Sequence, residues 1–478
     1  MRSVSAGRVA VLLRPALDAP GPTYDALARG LRDMISDGRL PVGVRVPSER
    51  LLTAELGISR TTVTRAYDVL REQSYLESRQ GSGSVARLPL SRAGRTDHLL
   101  MPRGSTEDSI DLTIGTPPAP PGTVAAFAAA VAELPAFLGG SGYFPTGLPA
   151  LREAIADRFT ARGLPTDPAQ VVIVAGALAG LAVAAQVVAR PGEQVVLESP
   201  TYPNPISTLQ ARRLRLLGVP VDPGAGWDVE TLRGLVQAPR TRAAYLIPDF
   251  QNPTGALMSD EVRAEVAATL RSARVAAVVD ESLVDTVLDD GPLPLPFAAH
   301  DPSALTLGSA SKGFWGGLRI GWVRAPTALV AAVTAARLSL DLSSPLVEQL
   351  ALLHLLREED QVRAHHRAHL LSSRAALLDA LAEHLPSWRT SPGRGGLSLW
   401  CRLPEPLSSA LSVAAERHGV YVPAGPSFAP EGGLEHHVRL PHTLPPDVLV
   451  EAVTRLARAW ADAPGEDRRT SGRAPVVA

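Results

Sequence analysis

The chain is nearly devoid of lysine. One lysine, Lys312, stands against 46 arginines in 478 residues. Arginine serves for surface charge and phosphate binding, but its guanidinium stays protonated and cannot act as a nucleophilic amine. Among side chains, the ability to form a Schiff base with an aldehyde is therefore confined to a single position. An arginine-rich composition can also leave one lysine by chance, so the surroundings of Lys312 must decide its meaning. Cysteine is equally scarce. Cys401 has no second cysteine to join, which excludes an intrachain disulfide and fits a reducing, cytoplasmic setting. No apolar run is long enough to span a membrane. The stretch Val9–Leu13 is short and broken by Arg14, so no signal peptide and no membrane partner are expected. Net charge is also lacking, at −1 overall. Residues 1–87 are the exception, with 13 arginines against 9 acidic residues, a local +4 that permits a nucleic-acid partner there.

What is present is long, 45% hydrophobic and 20% charged. That is a globular composition with more residues than one core holds, so two or three domains are expected. Residues 23–37 read as a helix with Tyr24, Leu27, Ala28, Leu31 and Ile35 on one face, closed by Gly38. Pro41, Gly43 and Pro47 make a turn. Ser48 caps a second helix carrying Leu51, Leu52 and Leu56, which stops at Gly57. Ser59 caps a third, with Val63, Ala66, Tyr67 and Leu70 on its buried face. Residues 75–85 then read as two short strands around a Gly-rich turn.

Three helices, a tight turn at Gly57 and a hairpin make a winged helix-turn-helix. The third helix exposes Arg60, Thr61, Thr62, Thr64 and Arg65, which can donate to phosphates and base edges in a major groove. Arg79 and the wing glycines can follow the phosphate backbone or the minor groove. A small helical dimerisation module with a solvated face is the competing explanation. Arg45-Val46-Pro47-Ser48-Glu49-Arg50, Leu56-Gly57-Ile58-Ser59-Arg60-Thr61-Thr62-Val63 and Gly81-Ser82-Gly83 resemble the GntR-type DNA-binding domain. That resemblance implies DNA contacts from Arg50, Arg60, Thr61, Thr62 and Gly81. Thr64 departs from relatives that are basic at that position, with Arg65 following.

Residues 88–108 are Pro- and Gly-bearing without periodicity and read as a linker. From about 109 the pattern becomes strands alternating with helices. The strands are Val171–Val174, Val195–Leu197, Ala244–Ile247, Val275–Val279, Leu305–Leu307 and Ile320–Val323. Apolar strands with helical crossovers mean an α/β fold with a mostly parallel sheet covered on both faces. Residues 465–478 are polar, with Gly and Pro, and read as a disordered tail.

Several motifs in this second region suit a phosphorylated aldehyde cofactor. Asp280 ends a strand, where open α/β sheets bind ligands, and a buried carboxylate there can keep a pyridine nitrogen protonated. Asn252, in Gln251-Asn252-Pro253-Thr254-Gly255, can donate to a phenolic oxygen. Gly176-Ala177-Leu178 joins a strand to an apolar helix and so forms an anion site. Ser309, Ser311 and Arg319 flank Lys312 and can complete a phosphate cup. Tyr202 can stack on a ring. Each also has a structural explanation: a turn for Asn-Pro-Thr-Gly, a helix cap for Asp280, packing for Tyr202. His365 and His369 are spaced i, i+4 and could take a metal. His366 occupies the place of the zinc-protease glutamate, however, so a solvated helix face is favoured and no metal is expected.

Taken in order, Asn252-Pro253-Thr254-Gly255, Asp280, Ser309-Ala310-Ser311-Lys312 and Arg319 resemble fold-type I aminotransferases of the aspartate aminotransferase class, over roughly residues 109–464. The resemblance implies a large subdomain at about 120–340 and a small one at about 345–464. It implies pyridoxal 5'-phosphate held covalently at Lys312, with Asp280 on the ring nitrogen, Asn252 on the phenolic oxygen and Tyr202 on the ring face. Gly176, Ala177, Leu178, Ser309, Ser311 and Arg319 would hold the phosphate. Tyr143 would reach the phosphate of a partner subunit, and Arg439 would bind an effector carboxylate. One departure is Ser282, near where relatives often place a tyrosine; it points to weak amino-transfer chemistry.

A GntR-type reader joined to an aminotransferase-like domain resembles the MocR/GabR-type transcription regulators. That implies a head-to-tail, domain-swapped homodimer binding double-stranded operator DNA. Its effector is an amine, an amino acid or pyridoxal phosphate itself, sensed through Schiff-base chemistry without sustained turnover. Two rivals stand: an active aminotransferase with an added DNA-binding domain, and a regulator that responds to pyridoxal phosphate alone.

Overall fold

The computed structural model describes residues 4–17, 21–37, 39–40, 42–79, 83–87, 100 and 109–463. The expected linker, apart from Leu100 and the residues from 87 and 109 that flank it, lies outside that set. So do Gly38, Pro41, Gly81, the side chain of Arg79 and the tail at 465–478.

The first domain has one helix more than periodicity indicated. Helix α1 (Ala6–Leu17) precedes α2 (Thr23–Ser36), α3 (Glu49–Leu56) and α4 (Arg60–Glu72). Val9 and Leu13 of α1 are fully buried among Leu27, Leu31, Leu52, Val63 and Leu70. Arg14 and Pro15 hid this helix from a sequence reading. The expected caps form: Ser48 Oγ accepts from the Leu51 amide and Ser59 Oγ from the Thr62 amide. Gly57 ends α3 at φ 67°, a left-handed turn that glycine enters without steric cost. Leu51, expected inside with Leu52, is instead 56% exposed. On a two-turn helix only one of two adjacent leucines can face the core. Strands β1 (Leu76–Arg79) and β2 (Gly83–Ala86) form the hairpin.

The second domain is built on an eight-stranded sheet. After β3 (Ile110–Asp111) come β4 (Val171–Val174), β5 (Gln194–Ser199), β6 (Arg215–Asp222), β7 (Gly226–Trp227), β8 (Thr241–Leu246), β9 (Ala276–Asp280), β10 (Leu305–Ser309) and β11 (Gly321–Arg324). Their spatial order is β4-β11-β10-β9-β8-β5-β6-β7. The run β10-β9-β8-β5-β6 is parallel, and β11 is antiparallel to both its neighbours. Both faces are covered by separate apolar clusters, which explains the near-continuous apolar strands. All six strands expected from the sequence are present, their ends within one to three residues of the expected ones. The eight-residue β6, which begins and ends on charged residues, was not anticipated.

A smaller unit follows the helix Glu359–His384. It contains the sheet β12 (Arg389–Thr390), β13 (Ser398–Arg402) and β15 (His437–Pro441), while β14 (Val420–Tyr421) pairs with β3. Its core includes Cys401, wholly buried between Leu399 and Leu403. The end of α2 touches this unit: Asp37 Oδ2 accepts from Arg402 Nη1 at 3.0 Å, and the Ser36 carbonyl accepts from the Leu434 amide. Arg8 of α1 pairs with Asp228 of the large unit. Among the described residues no helix is long and apolar enough to cross a membrane.

Candidate functional site

The carboxyl ends of five strands, with the start of β11 between two of them, open into a cavity of about 450 Å³, a size suited to a small molecule. Strand β4 delivers Gly176, β5 Tyr202, β8 Asn252, β9 Asp280, and β10 Ser309, Ser311 and Lys312; Arg319 arrives just before β11. Every cavity residue picked out in the sequence for cofactor binding lines it except Tyr143, which is 59% exposed on the surface of this chain. Sequence spacing could not bring these positions together. The crossover topology does.

Lys312 enters from the short helix after β10. Its Nζ donates to the Gly115 carbonyl at 2.7 Å and to Thr116 Oγ1 at 2.8 Å. Burial first, then the neighbouring Arg439 and Arg319, lower its ammonium to about 8, against a partial upward pull from Asp280. A substantial fraction of neutral amine is thus available near neutral pH. Thr116 escaped the sequence reading because a threonine before two prolines reads as loop.

Asp280 is 9% exposed. Its Oδ2 accepts from the hydroxyl of Tyr245 at 2.8 Å and its Oδ1 from the Ser282 amide at 2.9 Å. Burial raises its carboxyl while these donors and Lys312 lower it. It is therefore not a helix cap. Tyr245 was missed because it reads as one more apolar position of β8.

The turn that carries Asn252 is fastened by Gln251. The Gln251 amide donates to Glu198 Oε2 at 2.9 Å and to the Pro200 carbonyl at 2.8 Å, while its oxygen accepts from Thr254 Oγ1 at 2.7 Å. The carboxyl of Glu198, wholly buried, is pushed by burial up to about 8 while accepting from the Ile247 amide and the Trp227 indole. Asn252 Oδ1 itself is buried without a partner.

The end of the cavity expected to take a phosphate is built largely of backbone. Gly176 precedes the helix α-carbon run Ala177–Val188 at φ 92°, and a Cβ there would stand 3.0 Å from Arg319 Nη2. Only glycine lets the arginine close over a helix N-terminus, where amide N–H groups favour an anion. Ser309 Oγ accepts from the Ser311 amide at 3.1 Å. At the opposite rim Arg439, only 3% exposed, lies 5.3 Å from the Phe428 ring centroid and donates to the Thr113 carbonyl. Burial lowers its guanidinium to about 10, and its Nε has no partner. A buried guanidinium with an unused donor facing a cavity suits an incoming carboxylate. The lysine, the buried Asp280, the unpartnered Asn252 oxygen and the glycine at the helix start together fit the pyridoxal phosphate implied by the sequence resemblance.

In the first domain Arg50, Arg60, Thr61 and Arg65 are exposed and Thr62 is half-buried. Ser59 Oγ lies 2.8 Å from Thr61 Oγ1 and 2.7 Å from Thr62 Oγ1. Thr64 donates to Glu49 at 2.7 Å, which commits its hydroxyl within the domain, and Arg65 stacks 4.0 Å over Tyr24. The histidine pair does not form a metal centre: His369 bonds the Thr443 carbonyl at 2.9 Å while His365 is exposed. Among the described residues no three potential ligands come together.

Comparison with known proteins gives two matches along the chain. Residues 107–456 match the family model of aminotransferase class I and II, and residues 23–85 that of bacterial regulatory proteins of the gntR family. The uncharacterized HTH-type transcriptional regulator YdcR of Escherichia coli is 29% identical over 85% of this chain and 92% of its own length. The HTH-type transcriptional regulator TauR of Rhodobacter capsulatus is 28% identical over 92% of this chain and 98% of its own. Among solved structures, the α-aminoadipate aminotransferase LysN of Thermus thermophilus, complexed with N-(5'-phosphopyridoxyl)-L-leucine, superposes with a TM-score of 0.68 at 27% identity. That match covers 78% of this chain and 96% of LysN.

Proposed function

The chain belongs to the aminotransferase class I and II family and carries a gntR-family domain ahead of it, and from this premise we propose that it is a pyridoxal phosphate-dependent transcription regulator. One observation carries the reading. The only lysine of the chain faces a cavity lined by Asp280, Asn252 and a phosphate cradle, in the same polypeptide as an exposed recognition helix.

In this proposal the cofactor is held covalently at Lys312, and Gly176, Ala177, Leu178, Ser309, Ser311 and Arg319 bind its phosphate. Asp280 keeps the ring nitrogen protonated, Asn252 donates to the phenolic oxygen, and Tyr202 lies against the ring. When bound, the group supplies an electrophilic carbon that exchanges amines and a ring that withdraws electrons. Arg439 fixes the carboxylate of an amino-acid effector. The first domain, residues 1–87, docks α4 into the major groove, with Arg50, Arg60, Thr61, Thr62 and Arg65 on DNA and with Arg79 and Gly81 from the wing. Residues 88–108 join it in sequence to the second domain, 109–464.

The link between the two activities runs through contacts at the small unit. Helix α2 ends on Arg402 and Leu434, close to the strand that carries Arg439. An effector that binds one arrangement of this unit better than another shifts the DNA-binding domain with it. The segment 123–143 exposes Val124, Val131, Leu138 and Tyr143, an apolar surface that suits a second copy of the chain. A head-to-tail homodimer in the cytoplasm completes the proposal: on exchange of the DNA-binding domains the α2 contacts with Arg402 and Leu434 would be made between the two copies, and Tyr143 would reach the partner's phosphate site.

The test is a DNA-binding titration without cofactor, with pyridoxal phosphate, and with an added panel of amino acids, absorbance being recorded in parallel. A shift in operator affinity on adding cofactor or amino acid supports regulation; affinity indifferent to both rejects it. A response to pyridoxal phosphate alone that survives Arg439→Ala identifies the cofactor as the signal. Sustained turnover of an amino acid with a keto acid would favour an aminotransferase, the reading that the retention of Lys312, Asp280 and Arg439 in one cavity keeps open.

A further inference from the structure

We propose that Tyr245 is a positioning residue of the cofactor site, its hydroxyl holding the Asp280 carboxylate ionised and fixed in orientation. The inference rests on the cofactor reading above and concerns how this chain tunes it.

The geometry follows from strand register. Tyr245 on β8 pairs with Val278 on the parallel neighbour β9. Side chains two residues apart share a face, so Asp280 lies on the same face one step nearer the carboxyl ends. The tyrosine ring spans that step and its Oη reaches Asp280 Oδ2 at 2.8 Å. Tyr245 is 1% exposed, so water does not compete for the bond.

The two donors select the ionised acid. Asp280 Oδ1 takes the Ser282 amide, and an N–H has no lone pair to accept a proton in return. On Oδ2, where Tyr245 donates, a protonated acid would have to reverse that bond and force the phenol proton to find another acceptor; the Ser282 hydroxyl beside the carboxylate also favours its charge. Burial works the other way, since it favours the neutral acid. Lys312 also faces Asp280 and favours its charge; Glu198 and Tyr202 are the other titratable groups near it. Tyr245 remains a donor throughout, because burial and the adjacent Asp280 hold its phenol well above the ordinary value. Packing alone does not require the hydroxyl. A phenylalanine would fill the same place among Leu197, Ile247 and Val278.

The experiment uses the full-length protein reconstituted with saturating pyridoxal 5'-phosphate, and reads the pH midpoint of the bound cofactor's visible band. Wild type, Tyr245→Phe, Asp280→Asn and the double variant are compared. Without the phenol the acid is less charged, the ring nitrogen holds its proton less well, and the Lys312 nitrogen attached to the cofactor keeps its own proton to higher pH. The midpoint of Tyr245→Phe should therefore move upward, and the cofactor dissociation constant should rise about tenfold, the scale of one hydrogen bond to a charged group. In the Asp280→Asn background the same substitution should leave the midpoint unmoved. A single variant with an unchanged midpoint overturns the inference even if its thermal stability falls, since packing loss alone would do that. An equal shift in the Asp280→Asn background also overturns it. A wild-type protein that forms no visible band at all rejects the cofactor reading itself, a distinct outcome.

Discussion

The two domains place their candidate functional residues in opposite ways. In the first, Arg60, Thr61 and Thr62 occupy the opening turn of one helix, and a single serine cap sets their start. Arg60 and Thr61 face solvent, Thr62 is half-buried, and no distant segment is needed to orient them. In the second, the cavity draws on Thr116, Gly176, Tyr202, Asn252, Asp280, Lys312 and Arg439, from segments far apart in the chain, most of them in contact with buried hydrogen-bonding partners. A surface that reads a long polymer can be built on one rigid element. A pocket that encloses a small molecule needs groups from several directions, and only a folded sheet supplies them.

The contrast can be broken or sharpened by experiment. The largest expected effect is at Lys312: Lys312→Ala should eliminate the visible band and all borohydride-trapped cofactor, while DNA binding without cofactor is retained. With no other lysine in the chain, residual trapping on any side chain would disprove the assignment. Next is the buried pair beneath the site. Arg263 and Asp249 are both fully buried and bonded at 2.7 Å. Asp249→Asn strands a guanidinium and should cost about 3–5 kcal/mol in denaturant unfolding of the second domain; a loss below 1 kcal/mol would mean that the site's foundation is as local as the recognition helix. On the DNA side, Arg60→Ala should weaken operator binding by about 1–3 kcal/mol and reduce the salt slope by about one, with the band at Lys312 unaltered. Unaffected binding removes Arg60 from the contact set.

A pH series tests the amine itself. With the ammonium of Lys312 at about 8, its neutral fraction rises roughly tenfold per pH unit below that value and levels off above it. The rate of cofactor attachment, followed by stopped-flow absorbance, should climb through pH 7 and flatten above 8. A rate still climbing at pH 10 would show an ordinary, unperturbed lysine. The smallest effect is expected for Ser59→Ala, about 1 kcal/mol for the lost cap, read as a lower thermal midpoint of the first domain. A second-domain midpoint that also falls would show that the contacts of Asp37 and Arg8 couple the two units.

Much of this organisation was legible without coordinates, for particular reasons. Ser48, Gly57 and Ser59 act on their own backbone within three or four residues, so their roles are visible in local order. The strands that end at Val174, Asp280 and Ser309 are buried on both faces and therefore stand out as apolar runs. Helix α1 was not legible, because an arginine and a proline interrupt a pattern whose apolar side is buried only once α2 and α3 surround it. Leu51 beside Leu52 was ambiguous for the same reason. Tyr245, Gln251, Glu198 and Thr116 were not legible as site residues: each acts on a partner brought near by the sheet or its loops, and each has an innocent local explanation.

The sequence by itself determined the chemistry at hand: one side-chain amine, serines and an arginine around it, and a helix with donors at its start. Those depend on residue identity and on neighbours a few positions away. Tertiary structure decided which groups meet. Parallel register sets Tyr245 against Asp280, the antiparallel pairing of β4 with β11 brings Gly176 to Arg319, and the small unit carries Arg439 to the rim of the cavity. Burial, which local order cannot convey, then lowers the lysine and raises the acid opposite it, because charge far from water depends on every group the fold has placed nearby.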